Sequence, residues 1–232
     1  MAVNTEALVL LPALLCDSRL FRHQIDALNG QLPVIVPDIS TFDRFEDMAV
    51  SVIASLPPAF ALVGNSMGGY LALEIVRRVP KRVTHLALVG TNAYADPPEA
   101  HQKRKQAIRL AEAGRFDQFI EGYVQAALYP AHVDRDGPLM ATMAKDLGPD
   151  VLIRHQKAIM GRRDSTELLS AISVPVSVLC GSQDVLSSPS VHQDMAQAIS
   201  GAEFREIENC GHLAPLEAPE VVTQALKDLL AR

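Results

Sequence analysis

The sequence predicts an α/β protein with a mostly parallel central sheet. Short apolar runs recur along the 232 residues, and helical patterns follow them in alternation. The inner runs are apolar throughout, as expected for strands that are buried on both faces of a parallel sheet. One interval of about seventy residues shows no strand pattern, which predicts a helical insertion, since unstructured loops of that length are uncommon. These observations predict helices on both faces of the sheet and a helical cap.

Six segments have the pattern of strands. They are 7–11 (ALVLL), 33–37 (PVIVP), 60–64 (FALVG), 83–90 (VTHLALVG), 174–181 (VPVSVLCG) and 202–208 (AEFREIE). Helical patterns cover 18–29, 43–55, 67–79, 188–200 and 217–231. The first apolar run follows Glu6 and is too short to cross a bilayer, so it is interpreted as a strand and not as a membrane or signal segment.

The interval 96–170 contains only helical patterns. Pro97 and Pro98 open it, and the sheet resumes just beyond it at Val174. We therefore predict a core of residues 1–95 and 171–232 with a helical cap insertion at 96–170. Within the cap, the basic run 103–105 is expected to be a solvated helix face.

Composition excludes several classes of function. The formal net charge of −6 offers no basic field for a nucleic acid. Cys16, Cys180 and Cys210 are few, odd in number and widely spaced, which indicates reduced thiols and a cytoplasmic location. Metal-binding spacings and nucleotide-binding glycine motifs do not occur, so no metal or cofactor is expected. The oligomeric state stays open.

A serine lies between two glycines where a buried strand gives way to a helix. The segment Gly64-Asn65-Ser66-Met67-Gly68 matches G-x-S-x-G, a turn that presents a nucleophilic hydroxyl. The glycines suit such a sharp turn because larger side chains would collide there. A serine that merely caps the helix is the alternative interpretation.

A serine hydroxyl needs a base, and the base needs an orienting carboxylate. His212 follows the last strand and Asp184 follows the strand before it, so both should reach the same sheet edge as Ser66. Asp38, also at a strand end, is a reserve candidate for the carboxylate. His85 is expected in the core. The other histidines, which fall in helical or cap segments away from strand ends, are His23, His101, His132, His155 and His192.

The order Ser66, Asp184, His212 and the segments VGNSMGG, GSQD and NCGHLAPLEAP resemble the α/β-hydrolase superfamily, in its branch of small cap-bearing esterases. This resemblance implies an oxyanion hole formed by the backbone N–H groups of Met67 and Leu14. The family's usual His-Gly-x is replaced by Pro12-Ala13-Leu14, and only six residues of the sequence precede the first predicted strand, where the family usually has a hairpin.

The resemblance implies a serine esterase acting through an acyl-enzyme on a small ester. With no tryptophan and 5% aromatic residues, the cap should form an aliphatic, permissive pocket for short to medium uncharged acyl groups. A thioesterase, an acyltransferase or a carbon–carbon-bond hydrolase could use the same triad. A non-catalytic binding protein is the alternative from another class.

Overall fold

A six-stranded sheet runs through the computed structural model, which describes residues 5–232. The strands are β1 (Ala7–Leu11), β2 (Val34–Ile35), β3 (Phe60–Asn65), β4 (Val83–Val89), β5 (Val176–Gly181) and β6 (Glu203–Ile207). Their order is β2-β1-β3-β4-β5-β6, and each neighbouring pair is parallel. The predicted α/β fold is confirmed, although the first four residues of the predicted core lie outside the described residues.

Helices flank the sheet and connect its strands. Within residues 5–232 they are α1 (Arg22–Leu28), α2 (Phe45–Ser55), α3 (Met67–Arg78), α4 (Pro98–Glu112), α5 (Phe116–Ala127), α6 (Val133–Leu147), α7 (Pro149–Met160), α8 (Thr166–Leu169), α9 (Pro189–Ala198), α10 (Ala214–Glu217) and α11 (Pro219–Leu230). Several begin with proline. Proline is tolerated at this position because the N–H of the first helical residue has no acceptor within the helix.

The inner strands carry the hydrophobic core. Every residue of β1, β3 and β5 is buried, and side chains such as Leu10, Leu62 and Val178 are fully enclosed. Burial of one such side chain contributes roughly 1.5–3 kcal/mol, so these strands form a rigid base for the loops at their ends. The outer strands β2 and β6 are only partly buried, which explains the polar residues of β6.

Three local features differ from the sequence predictions. Only two residues of the predicted strand 33–37 pair with β1, because Pro33 and Pro37 lack N–H groups. The predicted helix 217–231 is interrupted at Ala218, which has an extended φ of −134° before Pro219. His85, expected in the core, is only half-buried in β4.

The strand order reverses direction between β1 and β3. The chain runs outward from β1 to β2 and then returns to place β3 on the other side of β1. In parallel α/β sheets, ligands bind at such a reversal, beyond the carboxyl ends of the strands. The pairing of Leu11 with Gly64 brings the loop after β1 beside the turn that contains Ser66.

A buried ion cluster connects the two ends of the helical segment between β4 and β5. The Asp96 carboxylate accepts hydrogen bonds from Arg104 at 2.8 Å and from Arg162 at 2.6 Å. Burial opposes the ionisation of Asp96, but the two guanidinium groups more than offset it and lower the pKa of the carboxyl. Arg104 therefore turns inward, whereas its neighbours Lys103 and Lys105 form the expected exposed face.

Candidate active site

Ser66 lies in the turn between β3 and α3, at the carboxyl edge of the sheet. Its φ of 54° and ψ of −115° are rare for a residue with a side chain, and such backbone strain costs roughly 1–3 kcal/mol. The Ser66 N–H donates to the Val89 carbonyl at 2.8 Å, and the Thr91 hydroxyl donates to the Ser66 carbonyl at 2.8 Å. The loop after β4 thus holds the strained turn in place.

The two glycines beside Ser66 are required by close backbone approach. A Cβ atom on Gly64 would overlap the carbonyl oxygen of Gly68, and one on Gly68 would overlap the carbonyl oxygen of Leu11. The collisions expected from the G-x-S-x-G pattern are therefore present. They also show that the start of α3 packs directly against the loop after β1.

His212 lies in the loop between β6 and α10 and contacts the Ser66 hydroxyl. Its Nε2 is 2.6 Å from Ser66 Oγ and accepts the hydroxyl hydrogen, since the other ring nitrogen donates elsewhere. Ser66 is 8% exposed and His212 is 4% exposed, so the pair is largely shielded from bulk water. This geometry allows the imidazole to take a proton from the hydroxyl.

Asp184 follows β5 and binds the far side of the His212 ring. Its Oδ2 accepts a hydrogen bond from His212 Nδ1 at 2.7 Å, while its Oδ1 accepts from the N–H groups of Leu186 and Ser187, each at 2.9 Å. Burial opposes ionisation, but the neighbouring imidazole and these N–H groups lower the pKa of Asp184. A carboxylate so held fixes the ring's tautomer and orientation.

Asp38, the reserve candidate, lies elsewhere. It is exposed beyond β2, and its carboxylate accepts a hydrogen bond from the Ser40 N–H at 2.8 Å. Within residues 5–232, the carboxylate bonded to the His212 ring is Asp184.

His192, whose helical pattern pointed away from the site, is buried close to it. The Thr91 N–H donates to His192 Nε2 at 2.7 Å, and His192 Nδ1 donates to the Ser188 carbonyl at 2.9 Å. Burial lowers the pKa of this imidazole. Both ring nitrogens bond to backbone, so His192 supports the loop after β4, whereas His212 is the histidine bonded to Ser66 Oγ.

The backbone N–H groups of Leu14 and Met67 donate to no acceptor within residues 5–232, although both residues are buried. Met67 starts α3, where the first N–H groups of a helix have no partner within the helix. Unsatisfied N–H groups beside a nucleophile can stabilise a developing oxyanion.

Two side chains of the helical segment contact the loop that contains Leu14. The Tyr123 hydroxyl donates to the Leu14 carbonyl at 3.4 Å, and the Leu15 N–H donates to His155 Nδ1 at 3.5 Å. His155 also donates from Nε2 to the Ile39 carbonyl at 3.2 Å. Leu15 has a φ of 53°, so these contacts surround a backbone position that is strained for leucine.

His155 gives the folded protein a specific dependence on pH. Burial, assisted by the charge of Arg154, lowers the pKa of His155 to about 4, compared with about 6.5 in an unfolded chain. Between these values the unfolded state binds more protons, so the free energy of unfolding falls as pH decreases. Urea unfolding should show a larger loss between pH 7 and pH 5 for the wild type than for His155→Gln. Equal losses would contradict this assignment.

Two further properties of the described residues are relevant to the chemistry. Residues 5–232 contain no group of three or more His, Cys, Asp or Glu side chains arranged to hold a metal ion. None of the helices in this range combines the length and apolar character that a membrane span needs.

Comparison with known proteins identifies the family. Residues 8–225 match a sequence model of the alpha/beta hydrolase family, and the chain therefore belongs to this family. A pimeloyl-[acyl-carrier protein] methyl ester esterase of Neisseria meningitidis serogroup C is 26% identical, with 90% of this chain and 89% of that protein covered.

Solved structures of the family are also similar. A thermophilic esterase from Thermogutta terrifontis, solved with malate bound, superposes with a TM-score of 0.89 at 27% identity. The superposition covers 100% of this chain and 91% of the esterase chain. An enol-lactonase from Burkholderia xenovorans LB400 has a TM-score of 0.86 at 20% identity, covering 99% and 93%, which shows a shared fold. The resemblance inferred from the motifs is confirmed.

Proposed function

We propose that this protein is a serine esterase that cleaves small carboxylic esters. The observation that carries the proposal is the continuous hydrogen-bonded chain from Ser66 Oγ through His212 to Asp184, with distances of 2.6 and 2.7 Å. The three side chains come from three strand ends and meet at one edge of the sheet. The similarity to proteins named as esterases gives independent support.

The first half-reaction forms an acyl-enzyme. Ser66 Oγ attacks the ester carbonyl carbon while His212 Nε2 takes the hydroxyl proton. The carbonyl oxygen becomes an oxyanion, which the N–H groups of Leu14 and Met67 stabilise. When the carbon–oxygen bond to the alcohol breaks, His212 returns the proton to the departing oxygen, and the acyl group stays on Ser66.

The second half-reaction releases the acid. His212 Nε2 takes a proton from a water molecule, whose oxygen attacks the acyl carbon. The tetrahedral intermediate collapses, the bond to Ser66 Oγ breaks, and His212 returns the proton to the serine. Asp184 keeps its negative charge throughout and stabilises the imidazolium that forms in each step.

Residues 96–170 act in this proposal as a cap over the site. The end of α5 contacts the loop of the proposed base, because the His212 N–H donates to the Ala127 carbonyl at 2.7 Å. Tyr123 of α5 reaches the loop after β1. The helical segment therefore touches two of the loops that form the site, which supports its role in enclosing the acyl group.

The acyl pocket is expected to prefer short to medium uncharged groups. Arg104, a cation of the cap, is already bonded to Asp96 and to Gln156, and the buried side chains of α5 are the aliphatic Ile120, Val124 and Ala127. Apolar walls of this kind discriminate by only about 1–3 kcal/mol per methylene.

A substrate panel tests both the reaction and its specificity. Rates on p-nitrophenyl esters from acetate to octanoate should vary smoothly and be highest for short or medium chains. Acyl-CoA, diketone and charged-acyl substrates should be turned over poorly. Activity confined to acyl-CoA would indicate a thioesterase, and activity confined to diketones would indicate a carbon–carbon-bond hydrolase. A strict need for a charged acyl group would overturn the proposed specificity.

A further inference from the structure

A buried carboxylate lies behind the His212 loop. Glu217 is the last residue of α10, and its side chain is fully shielded from solvent. Its Oε2 accepts hydrogen bonds from the N–H groups of Tyr129 at 2.7 Å and Gly211 at 3.1 Å, and from His132 Nδ1 at 3.2 Å. Its Oε1 accepts from the Leu213 N–H at 3.0 Å. Four donors thus converge on one carboxylate.

Two of these donors flank the proposed base in the chain. Gly211 and Leu213 are the immediate neighbours of His212, so Glu217 fixes the backbone on both sides of it. The His212 backbone is held as well. Its carbonyl accepts from Asn65 Nδ2 at 3.2 Å, and its N–H donates to the Ala127 carbonyl at 2.7 Å.

The other two donors come from the helical segment. Tyr129 follows α5 and His132 precedes α6, more than eighty residues before Glu217 in the chain. One carboxylate therefore joins the cap to the His212 loop. Its contacts stay away from the imidazole ring, whose two nitrogens bond to Ser66 and Asp184.

A carboxylate is the side chain suited to this position. It accepts at both oxygens, with up to four lone-pair sites, whereas an amide has one accepting oxygen and a nitrogen that only donates. An amide here would set its NH₂ group against a backbone N–H. The loop would then shift, and displacement of a reacting group by about 1 Å can lower a rate about 100-fold.

We propose that Glu217 is a positioning residue that holds the His212 loop in its reactive geometry and connects it to the cap. This inference rests on the proposed function, because it requires His212 to be the base.

Steady-state kinetics of Glu217→Gln on a p-nitrophenyl ester test the proposal. We expect kcat to fall about 10- to 100-fold while KM changes less than about threefold, because the loss affects alignment and not substrate binding. The rate of inactivation by a fluorophosphonate should fall in the same proportion. Glu74→Gln is the matched control, because Glu74 is also buried but pairs with Arg77 and Arg78 on α3. This control should keep kcat within about twofold of the wild type.

A purely structural role gives a different result. If Glu217→Gln only lowered the melting temperature, kcat measured well below that temperature would match the wild type, and the proposal would be wrong. If the variant does not fold, amide hydrogen exchange measured on the wild type tests the proposal instead. The N–H groups of Gly211, Leu213 and Tyr129 should exchange as slowly as those of β5, and rapid exchange would overturn the proposal.

The same assay separates this inference from the proposed function. An active Ser66→Ala variant would refute the proposed function itself. An inactive Ser66→Ala variant together with a fully active Glu217→Gln variant would refute only the positioning role.

Discussion

Replacing Ser66 with alanine should lower kcat for ester hydrolysis by at least about a thousandfold, because no other group in the proposed mechanism forms the acyl-enzyme. The fold should persist, since the backbone N–H and carbonyl of residue 66 supply the bonds that hold the turn. The measurement is kcat on a p-nitrophenyl ester, together with circular dichroism and thermal unfolding to verify the fold.

Ser177→Ala is the matched control for this substitution. Ser177 is another buried serine, located in β5 and two strands away from β3. Its replacement should leave kcat close to that of the wild type. A folded Ser66→Ala enzyme with near-normal activity would contradict the mechanism.

The second large effect is expected for Asp184→Asn. An amide in this position can donate to Nδ1 of His212, which would place the ring proton on Nε2. The ring could then no longer accept the Ser66 proton, and kcat should fall about 10⁴-fold. The loss should appear in kcat with little change in KM, and hydrogen bonds to Leu186 and Ser187 can remain with the amide oxygen.

Asp38→Asn provides the comparison, because Asp38 also follows a strand but lies exposed beyond β2. This variant should keep wild-type activity. If Asp38→Asn were inactive and Asp184→Asn active, the assignment of the orienting carboxylate would be wrong.

The main features of the fold and of the candidate site are readable in the sequence because they depend on local patterns. Apolar runs define the buried strands, and parallel strands place all of their carboxyl ends at one edge. Ser66, Asp184 and His212 each lie in the loop after a predicted strand, namely β3, β5 and β6. The strand pattern therefore predicts that they share one edge of the sheet, and hydrogen bonds join them in the structure.

Other features depend on contacts between distant segments. Glu217 appears in the sequence as one acidic residue in a helical pattern, but its partner Tyr129 lies 88 residues earlier in the chain. Arg104, within a basic run, resembles a solvated residue until Asp96 and Arg162 are placed beside it. The short length of β2, by contrast, can be explained from the local sequence. Pro33 and Pro37 lack the N–H groups that strand pairing needs.

Covalent labelling by a fluorophosphonate followed by peptide mapping tests whether Ser66 is the activated nucleophile. The reagent reacts with a serine that a neighbouring base has activated, and the product stays on that residue. We expect about one label per chain, located on Ser66, with labelling abolished in Ser66→Ala and strongly slowed in His212→Ala. A wild-type enzyme that hydrolyses esters but carries the label on another residue, or carries none, would contradict the proposed mechanism.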